Sequence, residues 1–413
     1  MSTSSTRRSR ARVTASAALG MLLVGIASVP AQAAGARDKQ WHLDAMGAEE
    51  IWQLSTGKGV TVAVIDSGVE ATHPDLQGQV LDGKDLAPKA AGDEHTDGEG
   101  HGTGMAGMIA GTGKANGGAG AFGLAPGAKI LPIRIPAPDQ DRSAAASDEQ
   151  FNRVVPEAIR FAVDSGAKVI NISQGANAGS KALTDAVKYA LDKGSLVFAS
   201  VGNTGHKSNR VEYPGATPGV VGVGAVDQKL THLPMSQHGR QVDIVAPGKD
   251  IFSACNDGGF CKSSGTSDAT ALASAAAALL WSKHPDWTNN QVLKVMLNTV
   301  AGPKDGDKRS DFIGYGAIRP LRTLKTPGDP GPADVRPIDD LTEVATATPS
   351  APETLPPADP GPVETTTAAP APAPQAAAAE EGGNTGLWIG LGIGAAVLLG
   401  VGVAVPVLRS RRG

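Results

Sequence analysis

The sequence predicts an α/β fold, a doubly wound and mainly parallel sheet with helices on both faces. Three observations carry this reading. Apolar, β-branched runs at residues 60–65, 129–133, 169–172, 196–199 and 220–226 have the near-continuous hydrophobicity of strands buried on both sides. Helical segments at 101–110, 151–165, 181–193, 267–283 and 289–300 alternate with them, as the crossovers between parallel strands require. Asp66 closes the first run just before Ser67-Gly68, and in such sheets binding sites lie at the carboxyl ends of the strands.

The elements follow in chain order. Arg7, Arg8, Arg10 and Arg12 precede an apolar stretch over about residues 15–29 and then Ala31-Gln32-Ala33. A positive start, a short apolar run and an Ala-x-Ala site predict a secretory signal peptide over residues 1–33, cut after Ala33. Residues 34–325 have the size of one domain. Residues 326–386 are Pro, Ala, Thr and acidic residues with hardly an aliphatic run. Such a segment cannot bury enough apolar surface to offset its ordering entropy, so a disordered linker is expected. Residues 387–408 are uncharged and apolar over the length a helix needs to cross a bilayer, and Arg409, Arg411 and Arg412 follow. This predicts a single transmembrane helix with residues 409–413 as a basic cytoplasmic tail and the body outside the cell. The rival, a cell-wall sorting signal, would need Leu-Pro or Leu-Ala before Asn384-Thr385-Gly386, where Gly382 and Gly383 stand. Elsewhere Lys and Arg are scattered without interleaved aromatics, which argues against a nucleic-acid partner.

Three short segments carry the chemistry: VAVIDSGVE around Asp66, GEGHGTGMAGMIAG around His101 and SSGTSDATA around Ser267. Singly, each has a plain explanation. Asp66 would be a strand-ending turn residue and Ser267 a helix cap. Together they supply what a serine nucleophile needs, an imidazole to take its proton and a carboxylate to orient that imidazole. Each sits beside small residues that allow close backbone approach. Ser267 also opens an Ala- and Leu-rich helix, whose dipole favours developing negative charge.

The order Asp, His, Ser is that of subtilisin, and the chain resembles the subtilisin-like serine proteases across nearly the whole body. The resemblance implies a subtilisin-like fold and an Asp66–His101–Ser267 triad. Ala199-Ser200-Val201-Gly202-Asn203 matches the segment whose asparagine donates to the oxyanion, so Asn203 is expected in that role. Asn171-Ile172-Ser173-Gln174-Gly175 is similar to the family's substrate-binding edge. Ser173, Gln174 and Gly175 would then flank the primary specificity pocket with Ser200, Val201 and Gly202. His73-Pro74-Asp75-Leu76, Ala246-Pro247-Gly248 and Gly314-Tyr315-Gly316 are structural matches, and Asp97 fits the motif before the histidine. Two positions depart from the pattern: Asp268 replaces an apolar residue after the nucleophile, and Ala271 replaces a proline. Asp268 would raise the imidazole pKa or disfavour an oxyanion.

Cys255 and Cys261 are the only cysteines and bracket a glycine-containing turn. Outside the cell such a pair is expected to be oxidised. His73 is expected to pack, whereas His42, His206, His232, His238 and His284 are expected in loops or at the surface. Residues 93–97 read as an exposed acidic turn. No zinc-type spacing is present, and the motifs require no metal or cofactor. Only about thirty residues separate the expected signal cleavage from Asp66, which leaves no room for a long inhibitory pro-domain. That short lead-in, the linker and the apolar carboxyl-terminal segment are similar to the mycosins, membrane-anchored subtilisin-like proteases of actinobacterial type VII secretion systems. The implied partners are a peptide or protein substrate and the secretion complex in the membrane. Two alternatives stay open: a mainly structural part of that complex, or a general degradative surface protease.

Overall fold

The computed structural model describes residues 35–137 and 143–341. The expected signal peptide, the transmembrane segment, the tail and all of the linker beyond Leu341 lie outside the described residues.

The chain opens with α1 (Trp41–Met46) and α2 (Ala48–Leu54), then β1 (Thr61–Asp66) and the two-residue β2 (Lys84–Asp85). There follow α3 (His101–Ala110), an irregular helical turn at Ala115–Gly118, β3 (Lys129–Arg134), α4 (Ala144–Asp164), β4 (Val169–Ile172), α5 (Lys181–Asp192) and β5 (Leu196–Ser200). β6 (Val221–Val226) and β7 (Ile244–Pro247) complete the sheet. A hairpin, β8 (Ile251–Ala254) and β9 (Phe260–Ser263), leads into α6 (Thr266–Lys283), α7 (Asn289–Thr299) and α8 (Pro320–Lys325). The strand order is β2-β3-β1-β4-β5-β6-β7, with every neighbouring pair parallel. The order reverses around β1, whose neighbours are β3 and β4. Asp66 therefore ends the strand at the topological switch point, where crevices open in such sheets.

The pleat sorts β1 between two cores. Val62 and Val64 join the layer of α3 and α6, while Ala63 and Ile65 join the layer of α4 and α5. From Ala269 to Trp281, α6 is buried on all sides against strands and neighbouring helices. Its run of alanines permits this, because a methyl group lets backbone approach closely from any direction. Large side chains complete the packing, among them Phe198, Ile65 and Ile159, all fully buried. Each contributes about 1.5–3 kcal/mol by leaving water.

The expected strands are present with ends shifted by at most one residue. α4 begins at Ala144 rather than at 151, capped by the Ser143 hydroxyl, which accepts from Ala146 N–H. Two further expectations need correction. Residues 327–341, assigned to the linker, lie packed on the body. Thr288 donates to the Ala333 carbonyl at 2.8 Å, Gln291 to that of Gly331 at 3.0 Å, and the Asp340 carboxylate accepts from Gly219 N–H at 2.9 Å. Ile338 is buried among the core residues. His42 is not a loop or surface residue: it lies on α1, fully buried, with neither ring nitrogen hydrogen-bonded among the described residues. Burial pushes its pKa down to about 3, with the Arg37 charge adding to the effect.

Candidate active site

The turn after β1 and the start of α3 are built as one unit. Asp66 is fully buried, and its Oδ1 accepts from Ser67 N–H at 2.8 Å and from His101 Nδ1 at 2.7 Å. Gln174 Nε2 adds a third donor at 3.3 Å. Helix starts leave N–H groups without intrahelical partners. Here Ser67 Oγ accepts from Gly102 N–H at 3.0 Å and donates to Asp97 Oδ1 at 2.8 Å. Asp97 also accepts from Gly100 N–H at 2.9 Å and from Thr103 N–H at 2.8 Å. Asp97 is thus the cap that fixes the helix carrying His101. Gly100 has φ 75°, a left-handed conformation suited to glycine, and a Cβ there would lie 2.8 Å from Asn256 Oδ1.

The charges follow from this packing. Burial alone would raise the Asp66 pKa, but the His101 charge beside it and the three hydrogen bonds hold it below the usual carboxylate range. The Asp66 charge chiefly raises His101 to about 9 against the opposing effect of burial, and Asp268 and Asp97 add to the rise. Asp268 lies buried in the first turn of α6, where Ser263 Oγ donates to it at 2.6 Å. Burial pushes its pKa up to about 6.

On the other side, Ser267 stands in the first turn of α6, half-buried. Its hydroxyl donates to the Ser173 carbonyl at 3.1 Å, and Ser173 Oγ donates back to the Ser267 carbonyl at 3.3 Å. Buried Asn171 steadies Ser173 by donating to its Oγ at 3.1 Å and accepts from Ser274 Oγ at 3.0 Å. Asn203 Oδ1 accepts from Thr266 N–H at 2.9 Å, which ties the asparagine to the start of the same helix. Asn203 Nδ2 donates to no group among the described residues.

A profile of the subtilase family matches residues 57–316. The chain belongs to the subtilase family. It is 40% identical over 268 residues to the thermophilic serine proteinase of Bacillus sp. (strain AK1), covering 65% of this chain and 62% of that one. It is 36% identical over 239 residues to subtilisin E of Bacillus subtilis (strain 168), covering 57% and 59%. The chain thus spans about three fifths of the length of these relatives. Among solved structures it is similar to MycP1 from Mycobacterium smegmatis, with TM-score 0.63, 27% identity and coverage of 74% of this chain and 89% of that one. The MycP3 protease of the type VII (ESX-3) secretion system gives TM-score 0.61, 30% identity and coverage of 71% and 90%.

The remaining expected site residues lie at the carboxyl ends of the neighbouring strands β4 and β5. Ser173–Gly175 follow β4 and Ser200–Gly202 overlap and follow its neighbour β5. Val201, however, is fully buried in a cluster with Val226, Val242 and Val245, so only its backbone can face a substrate. Gln174 is turned to Asp66. Cys255 and Cys261 form a disulfide across the β8–β9 turn. His73 Nε2 is 2.9 Å from the Gly259 carbonyl inside that turn and its Nδ1 accepts from Asp75 N–H, so His73 braces the loop in a buried position. Asp97 was legible only as a motif match at the end of an expected exposed turn, yet it is buried. The capping roles of Asp97 and Ser67 carried no signal, because a cap acts through chain folding that spacing alone does not reveal.

Proposed function

We propose that the protein is a serine endopeptidase. The observation that carries this is the Asp66–His101 pair at the switch point, with Ser267 opening the central helix of a subtilase fold. In this reading the Ser267 oxygen attacks a peptide carbonyl while His101 Nε2 takes its proton. Asp66 holds the imidazole by Nδ1 and stabilises the imidazolium. Ser267 N–H and Asn203 Nδ2 receive the oxyanion. His101 returns the proton to the leaving amine, and water, deprotonated by the same imidazole, releases the acyl group and regenerates the serine.

The resting hydrogen bond from Ser267 to Ser173 gives substrate a part in this scheme. An extended peptide pairing its backbone along residues 173–175 would claim that carbonyl with an N–H and free the hydroxyl for His101. Similarity to MycP1 and MycP3, with the signal and apolar carboxyl-terminal segments expected from sequence, supports the finer reading. The enzyme would be anchored in the cell membrane by one helix, with its catalytic domain extracellular, and would act on a protein of a type VII secretion system.

The test is covalent labelling of the purified full-length chain in detergent with a fluorophosphonate probe, beside Ser267→Ala. Labelling lost only in the variant is expected. A folded wild type that stays unlabelled would overturn the catalytic reading in favour of a structural role in the membrane complex.

A further inference from the structure

A carboxylate that no sequence motif marks lies between the segments that follow β4 and β5. Ala176 and Tyr213 exchange a pair of backbone hydrogen bonds, both 2.8 Å, which zips residues 212–213 onto the end of the 173–176 segment. Glu212 is thereby carried into the gap between Gly175 and Gly202. A Cβ at Gly175 would stand 3.3 Å from Glu212 Oε2, and one at Gly202 would stand 2.7 Å from the Glu212 carboxyl carbon. The lack of a side chain at both glycines leaves room for the carboxylate, which lies close to each backbone.

The surroundings hold Glu212 without neutralising it. Gln237, fully buried, donates from Nε2 to Glu212 Oε1 at 2.7 Å and to Thr204 Oγ1 at 2.9 Å. Oε2 accepts no hydrogen bond, and no Lys, Arg or His forms an ion pair with Glu212, among the described residues. Glu212 is half-buried, and burial raises its pKa against the opposing Gln237 hydrogen bond. A partly desolvated carboxylate with one oriented and one open oxygen lacks a cation, and a substrate can bring one.

We propose that Glu212 is a specificity-determining residue that selects lysine or arginine immediately before the scissile bond. This rests on the endopeptidase reading above. A long basic side chain entering between Gly175 and Gly202 runs its methylenes between the two backbone segments and delivers its charge to Oε2.

The test uses the full-length chain in detergent and peptides that differ only in the residue before the cut: Lys, Arg, Gln, Leu or Ala. The wild type is expected to show kcat/KM for Lys and Arg at least roughly tenfold above Gln and Leu. Glu212→Gln is expected to remove that advantage by roughly 10- to 100-fold while cleavage after Leu changes little. Fluorophosphonate labelling of Ser267 runs alongside as the check on folding and on the underlying reading. A labelled wild type that prefers Ala or Leu, or a labelled Glu212→Gln that keeps the Lys preference, overturns the proposal alone. A wild type that does not label overturns both.

Discussion

Two halves of one site stand in different states. On β1 and α3, Asp66 and His101 are joined at 2.7 Å and braced by Ser67, Asp97 and Gln174. On α6, Ser267 gives its hydroxyl to a backbone carbonyl of the neighbouring segment. The first half is completed by the fold itself, since Asp66 ends a core strand, His101 starts a buried helix, and Ser67 and Asp97 are buried in the loops beside them. The second half keeps a hydrogen bond that a bound peptide can replace. In the proposed mechanism, folding pre-organises the base and its carboxylate, whereas Ser267 would come into line only with its substrate. Asp268 sits between the two, buried in α6 yet acting electrostatically on His101.

The largest blow to this contrast is Asp66→Asn, which leaves the shape but removes the charge and favours the wrong imidazole tautomer. A fall in kcat of about 10⁴-fold is expected, measured with any cleaved peptide, with KM little changed. A loss below tenfold would mean that the assembled half is not the catalytic one. Asn203→Ala strikes the other half. It should lower kcat by about 10²- to 10³-fold and slightly lower the melting temperature, since Thr266 N–H loses its cap. An unchanged kcat would remove Asn203 from the oxyanion site.

The mildest change, Asp268→Asn, tests the group between the halves. With the His101 pKa raised to about 9, the free site holds its imidazole protonated at neutral pH, so kcat/KM is expected to rise with pH on an alkaline limb. Removing a negative charge destabilises the imidazolium and lowers its pKa. The limb should therefore move to lower pH, with a gain of less than about tenfold at neutral pH. A pH–rate profile that does not move would show that Asp268 is electrically remote from His101.

Much of this site was legible in the sequence, and what was missed has physical causes. Asp66, His101 and Ser267 each stand in a glycine-rich context at a predicted element end, so local pattern and chemistry pointed the same way. The helix over His101–Ala110 and the strand over Val169–Ile172 lie where their apolar runs put them. β7 was passed over because Asp243 and Pro247 bracket only three apolar residues, and the β8–β9 hairpin because polar residues break up its short segments. His42 misled because histidine is usually exposed. Its neighbours Leu43 and Met46 form the buried face of α1, and that spacing was the available signal. Glu212 had no signal at all, since its place depends on a bridge between residues far apart in sequence. The linker composition hid residues 327–341 for a related reason: they are held by their backbone carbonyls and by Asp340, which composition does not register.

That packed segment has a geometric consequence. Asp340 binds Gly219, just ahead of the start of β6, whereas Asp66, Ser173 and Ser200 lie at or just beyond the far ends of strands running in the same direction. The register sets Ser200 level with Val223, four residues beyond Gly219, so the Asp340 anchor lies about 13 Å behind the crevice along the strand direction. The Asp340 grip and the proposed working edge are thus offset along the strands rather than level with one another.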